Sequence, residues 1–183
     1  MVPREIFFTK GIGHHRHQLQ SFEAALREAG IAQCNLVNVS SIFPGGCRIV
    51  SRKQGISKLH PGEIIYCVMA RSETNEPGRQ CGAGVGLAVP SEGSHYGYIS
   101  EFHGHGKSKK EVADLVEDMA ASMLAETLGI KFDSNKAYDE RKEIYRMSGK
   151  IVRSQATVQI GQTQEEGVWT TVVAAAVFVP VRE

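Results

Sequence analysis

Residues 62–72 (GEIIYCVMARS) and 81–90 (CGAGVGLAVP) are apolar almost without interruption, and strands of that composition must be covered on both faces. A single sheet with one wet side cannot hold them, so the chain has to fold in layers. Residues 95–104 (HYGYISEFHG), 153–161 (RSQATVQIG) and 167–180 (GVWTTVVAAAVFVP) read as further strands. The apolar opening from Ile6 to Thr9 predicts a first strand ending at Gly11 and Gly13. Residues 34–42 (CNLVNVSSI) predict another, running into a turn at Pro44, Gly45 and Gly46. Ser40 and Ser41 then lie where an extended segment meets a tight bend.

Two helices supply the covers. In residues 14–30, Leu19, Phe22, Leu26 and Ala29 recur at helical steps, and Gly30 is placed to cap the C-terminus. Further on, Ser108 and Glu111 form an S-x-x-E capping box. Val112, Leu115, Met119 and Met123 continue an amphipathic helix that stops near Gly129. Residues 132–150 are polar and fit either a loop or a short helix. Many strands with two long helices predict an α+β fold, a layered αββα sandwich with mainly antiparallel sheets and two long covering helices.

A length of 183 residues suits one domain over 1–183. With 21 Lys and Arg against 20 Asp and Glu, no charge excess recommends nucleic acid or an anionic membrane as partner. That balance argues for small-molecule chemistry or protein contacts; the opening MVPREIFFTKGIG lacks the pattern of a secretory signal, and no stretch approaches transmembrane length, so a soluble cytoplasmic protein is expected. Cys34, Cys47, Cys67 and Cys81 are too widely spaced for a zinc motif and read as core thiols.

Several constellations invite a chemical reading. The glycines of GAGVG, Gly82 to Gly86, have the wrong spacing for a nucleotide loop, and no helix follows at once; close strand packing is expected instead. His14, His15 and His17 precede a surface helix without a partnered carboxylate, which suits a solvated turn better than a metal site. Glu101, His103 and His105 share a face if their segment is extended. Glycines at 104 and 106 suggest a fraying end there, and composition alone makes Glu101 an edge carboxylate facing water. No metal is expected.

Residues 35–46, NLVNVSSIFPGG, resemble the processing site of the pyruvoyl-dependent arginine decarboxylases, through Asn35, the alternation of Val37 and Val39, the run Ser40-Ser41-Ile42 and Pro44. The likeness extends over SFEAALREAGIAQCNL upstream, SEFHGHGKSKKEVADLVEDMA downstream and the late AAAVFV run. It covers about residues 18 to 178, in order.

That resemblance implies a self-processing enzyme. The Ser41 hydroxyl attacks the Ser40 carbonyl, an ester forms, and elimination separates residues 1–40 from a chain of 143 residues, 183 less 40, whose first residue becomes a covalent pyruvoyl group. Strain at the strand-to-turn junction would favour the shift. Decarboxylation needs an electron sink that condenses with the substrate amine as a Schiff base, and no Lys-centred pyridoxal motif is evident to supply another. By the same resemblance, Asn35 positions and stabilises the oxyanion of cleavage, although an Asn there could equally cap a turn. Glu101 returns a proton to Cα, a role that requires burial. Glu23 receives the substrate guanidinium at a position where the family more often has Asp; an exposed helix carboxylate is the plain alternative. The implied substrate is arginine, the products agmatine and carbon dioxide, and the assembly a homotrimer of cleaved protomers with sites between subunits. The sequence also admits a pyruvoyl decarboxylase for another amino acid such as histidine, and an uncleaved, non-catalytic binding or scaffold paralogue.

Overall fold

A computed structural model describes residues 2–181, the side chain of Val152 excepted. The elements run β1 (Glu5–His15), α1 (Gln18–Ala29), β2 (Asn35–Asn38), β3 (Ile42–Phe43), β4 (Arg48–Ile49), α2 (Arg52–Ile56), β5 (Ile64–Thr74), β6 (Gln80–Pro90), β7 (Gly97–His105), α3 (Lys109–Thr127), α4 (Tyr138–Met147), β8 (Ile151–Gln162) and β9 (Trp169–Phe178). One sheet has the order β2-β5-β9-β1-β4 and the other β3-β7-β6-β8. Short β2 and β4 pair in parallel at the two edges of the first sheet, and every other pairing is antiparallel.

Alternation along the strands builds the layers. Phe7, Cys67, Val173, Ala175 and Val177 face α1, packing with Ala25 and Ala29. Their neighbours Ile6, Val68 and Ala176 face the second sheet and meet Leu87 and Ile99. The far side of the second sheet carries α3 through Val112, Val116 and Val158. This is the expected αββα sandwich, with α1 and α3 as its covers.

The helices sit close on their sheets, and glycine is the reason. A Cβ on Gly11 or Gly13 would stand 2.1 Å from the carbonyl oxygen of Ala25 or Ser21, and one on Gly86 would stand 2.1 Å from that of Val116. Those positions admit α1 and α3 to direct backbone contact. So β1 does not end at Gly11; it continues to His15, with His14 and His15 exposed at its end. In GAGVG both packings occur: Ala83 and Val85 face the strands of the other sheet, while Gly84 and Gly86 make room for α3. The buried stripe of α3 is accordingly Val112, Val116, Ala120 and Leu124, and the larger Leu115 and Met119 lie to its side. On α1, Leu19 is 75% exposed, outside the stripe.

A methyl at Gly86 should therefore push α3 outward. Gly86→Ala is expected to cost about 3 kcal/mol, seen as a fall in melting temperature of roughly 5–10 °C. Gly93→Ala, with nothing within 4 Å of its new methyl, is the control and should melt close to the parent.

The local signals mostly hold. Gly30 caps α1 in the left-handed region at φ 79°. Ser108 and Glu111 form the capping box at the start of α3. The undecided stretch 132–150 contains α4, tied to α3 by Arg141–Asp118 at 2.6 Å and Lys142–Glu117 at 2.9 Å. β6 is buried almost throughout, whereas β5 begins on a sheet edge and exposes Ile64 and Tyr66.

Candidate functional site

The strand expected over 34–42 is two strands in two different sheets. β2 pairs with β5, and the last bond of that ladder runs from the Val39 N–H to the Cys67 carbonyl at 2.9 Å. Three residues later Ile42 pairs with Tyr98 of β7. The chain therefore crosses from one sheet to the other at Ser40 and Ser41, with a bend at Ser41.

Main-chain hydrogen bonds fix the crossing. The Ile42 N–H donates to the Ser40 carbonyl at 3.1 Å, closing a three-residue turn centred on Ser41. The Ile99 N–H donates to the Ser41 carbonyl at 2.7 Å. Positive φ occurs only at glycines among the described residues, so this turn is of the inverse kind and holds no left-handed residue. Strain of that sort is absent from the junction. Ser40 is exposed, Ser41 half-buried, and the Ser41 hydroxyl makes no hydrogen bond among the described residues.

The same register brings a carboxylate alongside. Continuing the β3–β7 pairing sets Ser41 opposite Ile99, and Glu101 lies two residues further along β7 on the same face. Its cross-strand partner is Val85, which is buried between the sheets. Glu101 itself is exposed, at a point of β7 that the short β3, paired only with Gly97 and Tyr98, does not reach. Burial pushes the Cys67 thiol up to about 11, and the Glu101 carboxylate adds to that shift. The Cys67 thiol donates to the Asn38 carboxamide oxygen at 3.5 Å. Cys67 and Cys81 are buried, while Cys34 and Cys47 are half-buried, and all four thiols are free.

Asn35 and Glu23 are not brought to this place within one chain. Asn35 begins β2, and its carboxamide donates to the Gly62 carbonyl at 3.0 Å, a turn-bracing role. It stands four positions before Val39, about 13 Å of strand. Glu23 stands on α1, across the first sheet from the junction, paired with Arg27 at 2.6 Å on the surface. Of the histidines singled out, His14 bonds Thr170 at 2.9 Å and His105 bonds the Glu73 carbonyl at 3.0 Å. No group of three or more His, Cys, Asp or Glu among the described residues is placed to hold a metal.

The junction also carries an exposed apolar patch that sequence reasoning missed. Val37, Val39, Ile42, Tyr66 and Ile64 are 39% to 60% exposed, all on β2, β3 and β5 or the crossing between them. No alternation in residues 64–70 signals it; Ile64 and Tyr66 precede Cys67, where the pairing of β5 with β9 begins.

Comparison with known proteins bears on this arrangement. A family model described as pyruvoyl-dependent arginine decarboxylase matches residues 5–183. The chain is 52% identical over 179 residues to a probable pyruvoyl-dependent arginine decarboxylase of Chloroherpeton thalassium, covering 98% of each. It is 50% identical over 179 residues to a pyruvoyl-dependent arginine decarboxylase of Methanococcoides burtonii, covering 98% of this chain and 99% of the relative.

Proposed function

The chain belongs to the pyruvoyl-dependent arginine decarboxylase family, and from that premise we propose that it cuts itself between Ser40 and Ser41 and then converts L-arginine to agmatine and carbon dioxide. Like its family, it is a carboxy-lyase that depends on a covalently bound pyruvoyl group. The observation that carries the reading is the meeting of Ser41 and Glu101 where the chain changes sheets.

The surroundings of Ser41 suit a residue that becomes the pyruvoyl group. Its hydroxyl is uncommitted, its carbonyl is anchored on β7, and the bond before it lies at a bend. Once formed, the group supplies an electrophilic carbonyl that condenses with the substrate amine and takes up the electrons released with carbon dioxide. β7 keeps Glu101 beside that position, where it returns the proton to the substrate Cα.

The rest of the site comes from a second copy. Asn35 and Glu23 lie away from Ser41 of their own chain, and an exposed apolar patch surrounds the junction. Three protomers associating through these edges would cover the patch and bring Asn35 and Glu23 of a neighbour to Ser41 and Glu101. That cover also removes water from Glu101, the condition under which a carboxyl keeps the proton it must donate. Glu23, with its longer reach than Asp, binds the substrate guanidinium in the paired geometry that a carboxylate offers.

Mass spectrometry together with a product assay tests the reading. Under denaturing conditions the protein should give fragments of 40 and 143 residues, the larger with a borohydride-reducible carbonyl. Under native conditions three such pairs should stay together, and arginine should yield agmatine. A lone chain of 183 residues after prolonged incubation would sink the self-cleavage reading, and decarboxylation of histidine but not arginine would sink the substrate.

A further inference from the structure

We infer that two main-chain amides do the electrostatic work of self-cleavage: the Ile42 N–H stabilises the oxyanion formed on the Ser40 carbonyl, and the Ile99 N–H stabilises the carbanion formed at Ser41. The inference rests on the self-cleavage reading above and assigns its two charged intermediates to particular donors.

In the first step the Ser41 hydroxyl oxygen bonds to the Ser40 carbonyl carbon, and negative charge gathers on the Ser40 oxygen. The Ile42 N–H already points at that oxygen from 3.1 Å, a distance that shortens as the oxygen gains charge. The three-residue turn centred on Ser41 encloses the attacking residue between the donor and the acceptor, so no movement of another element is required. The carbon–nitrogen bond between Ser40 and Ser41 then breaks, and the hydroxyl proton passes to the departing nitrogen, leaving an ester and a free amine. The Asn35 carboxamide is engaged with Gly62 at the far end of β2, so within one chain the Ile42 amide is the donor that reaches the reacting oxygen.

In the second step a base removes the Ser41 Cα proton and the Cβ–oxygen bond breaks, releasing residues 1–40 with Ser40 as a free carboxylate. The charge that builds at Cα spreads onto the Ser41 carbonyl oxygen, which receives the Ile99 N–H at 2.7 Å. The dehydroalanine left at 41 tautomerises to an imine, and addition of water expels ammonia to give the ketone. Each donor thus faces the oxygen charged in one step and not the other.

Single amide-to-ester replacements, introduced as α-hydroxy acids at 42 or at 99, separate the two roles while keeping every side chain. The ester at 42 should slow cleavage a hundredfold or more, and hydroxylamine should then cut it only at the introduced ester after Ser41 and not after Ser40, where the intermediate would be split. An ester at 42 also makes the Ser41 Cα proton more acidic, so any slowing has to arise in the first step. The ester at 99 should let the first step proceed and retard the second, building up a species that hydroxylamine splits after Ser40. Both variants should keep the parent's circular dichroism; if the ester at 42 unfolds, the hydroxylamine-sensitive species of the ester at 99 still decides the assignment. Cleavage of both variants at the parent rate would overturn the inference while leaving self-cleavage intact. An unmodified chain that never cleaves would overturn both.

Discussion

Ser41→Ala is expected to yield one uncut chain of 183 residues with no decarboxylase activity and a melting temperature within a degree or two of the parent. The hydroxyl is the nucleophile of cleavage and the source of the reactive carbonyl, so its loss removes two requirements at once. The fold has little reason to respond. What ties Ser41 to its surroundings is the main-chain bond from Ile99 to its carbonyl, which alanine retains, and the side chain has no hydrogen-bond partner among the described residues to lose. Intact mass, a decarboxylation assay and a thermal melt on one preparation decide the matter. A cut Ser41→Ala chain, or an uncut one with activity, would show that the reactive group arises elsewhere.

Glu101→Gln separates making the enzyme from using it. The substitution keeps the shape and hydrogen-bonding reach of the side chain but removes the proton that decarboxylation requires. Because Glu101 is exposed in the protomer, no buried ion pair is broken and the chain should fold, cut itself and assemble as the parent does. The kcat should fall by about 10²–10⁴, the usual contribution of a positioned general acid, with a much smaller change in KM. A kcat within threefold of the parent would remove Glu101 from the chemistry. Failure to cleave would move its role back to maturation.

The two results would read out a site that was only half legible in the sequence. Local rules identified the covers: Gly30 at the end of α1 and the Ser108–Glu111 box at the start of α3 are signals confined to one turn. Ser40, Ser41 and Glu101 stood out through their likeness to a known processing site. Their proximity did not, because it depends on strand order. β3 pairs with β7 across more than fifty intervening residues, and nothing in either segment announces the other. The break of 34–42 into two strands was hidden for the same reason. Alternation of Val37 and Val39 is compatible with one long strand, and only the competing partners β5 and β7 pull its halves into separate sheets. The glycines of β1 misled in the opposite direction. A glycine in a strand suggests an end or a bend, but here the missing side chains make room for a helix arriving from elsewhere.

The position of β1 bears on what a cut would mean. It lies inside the first sheet, paired along its length with β9 and at its start with β4, and it belongs to the segment before Ser41. Severing the chain at the junction would convert an intramolecular strand into a bound peptide without breaking a ladder bond. The 40-residue piece would hold β1, α1 and β2, and it could leave only by opening the sheet between β9 and β4 and uncovering the core under α1. Refolding would become a bimolecular search in which the larger chain lacks an interior strand until the smaller one finds it. Such a molecule can be assembled once from a continuous precursor far more readily than it can be rebuilt from its parts.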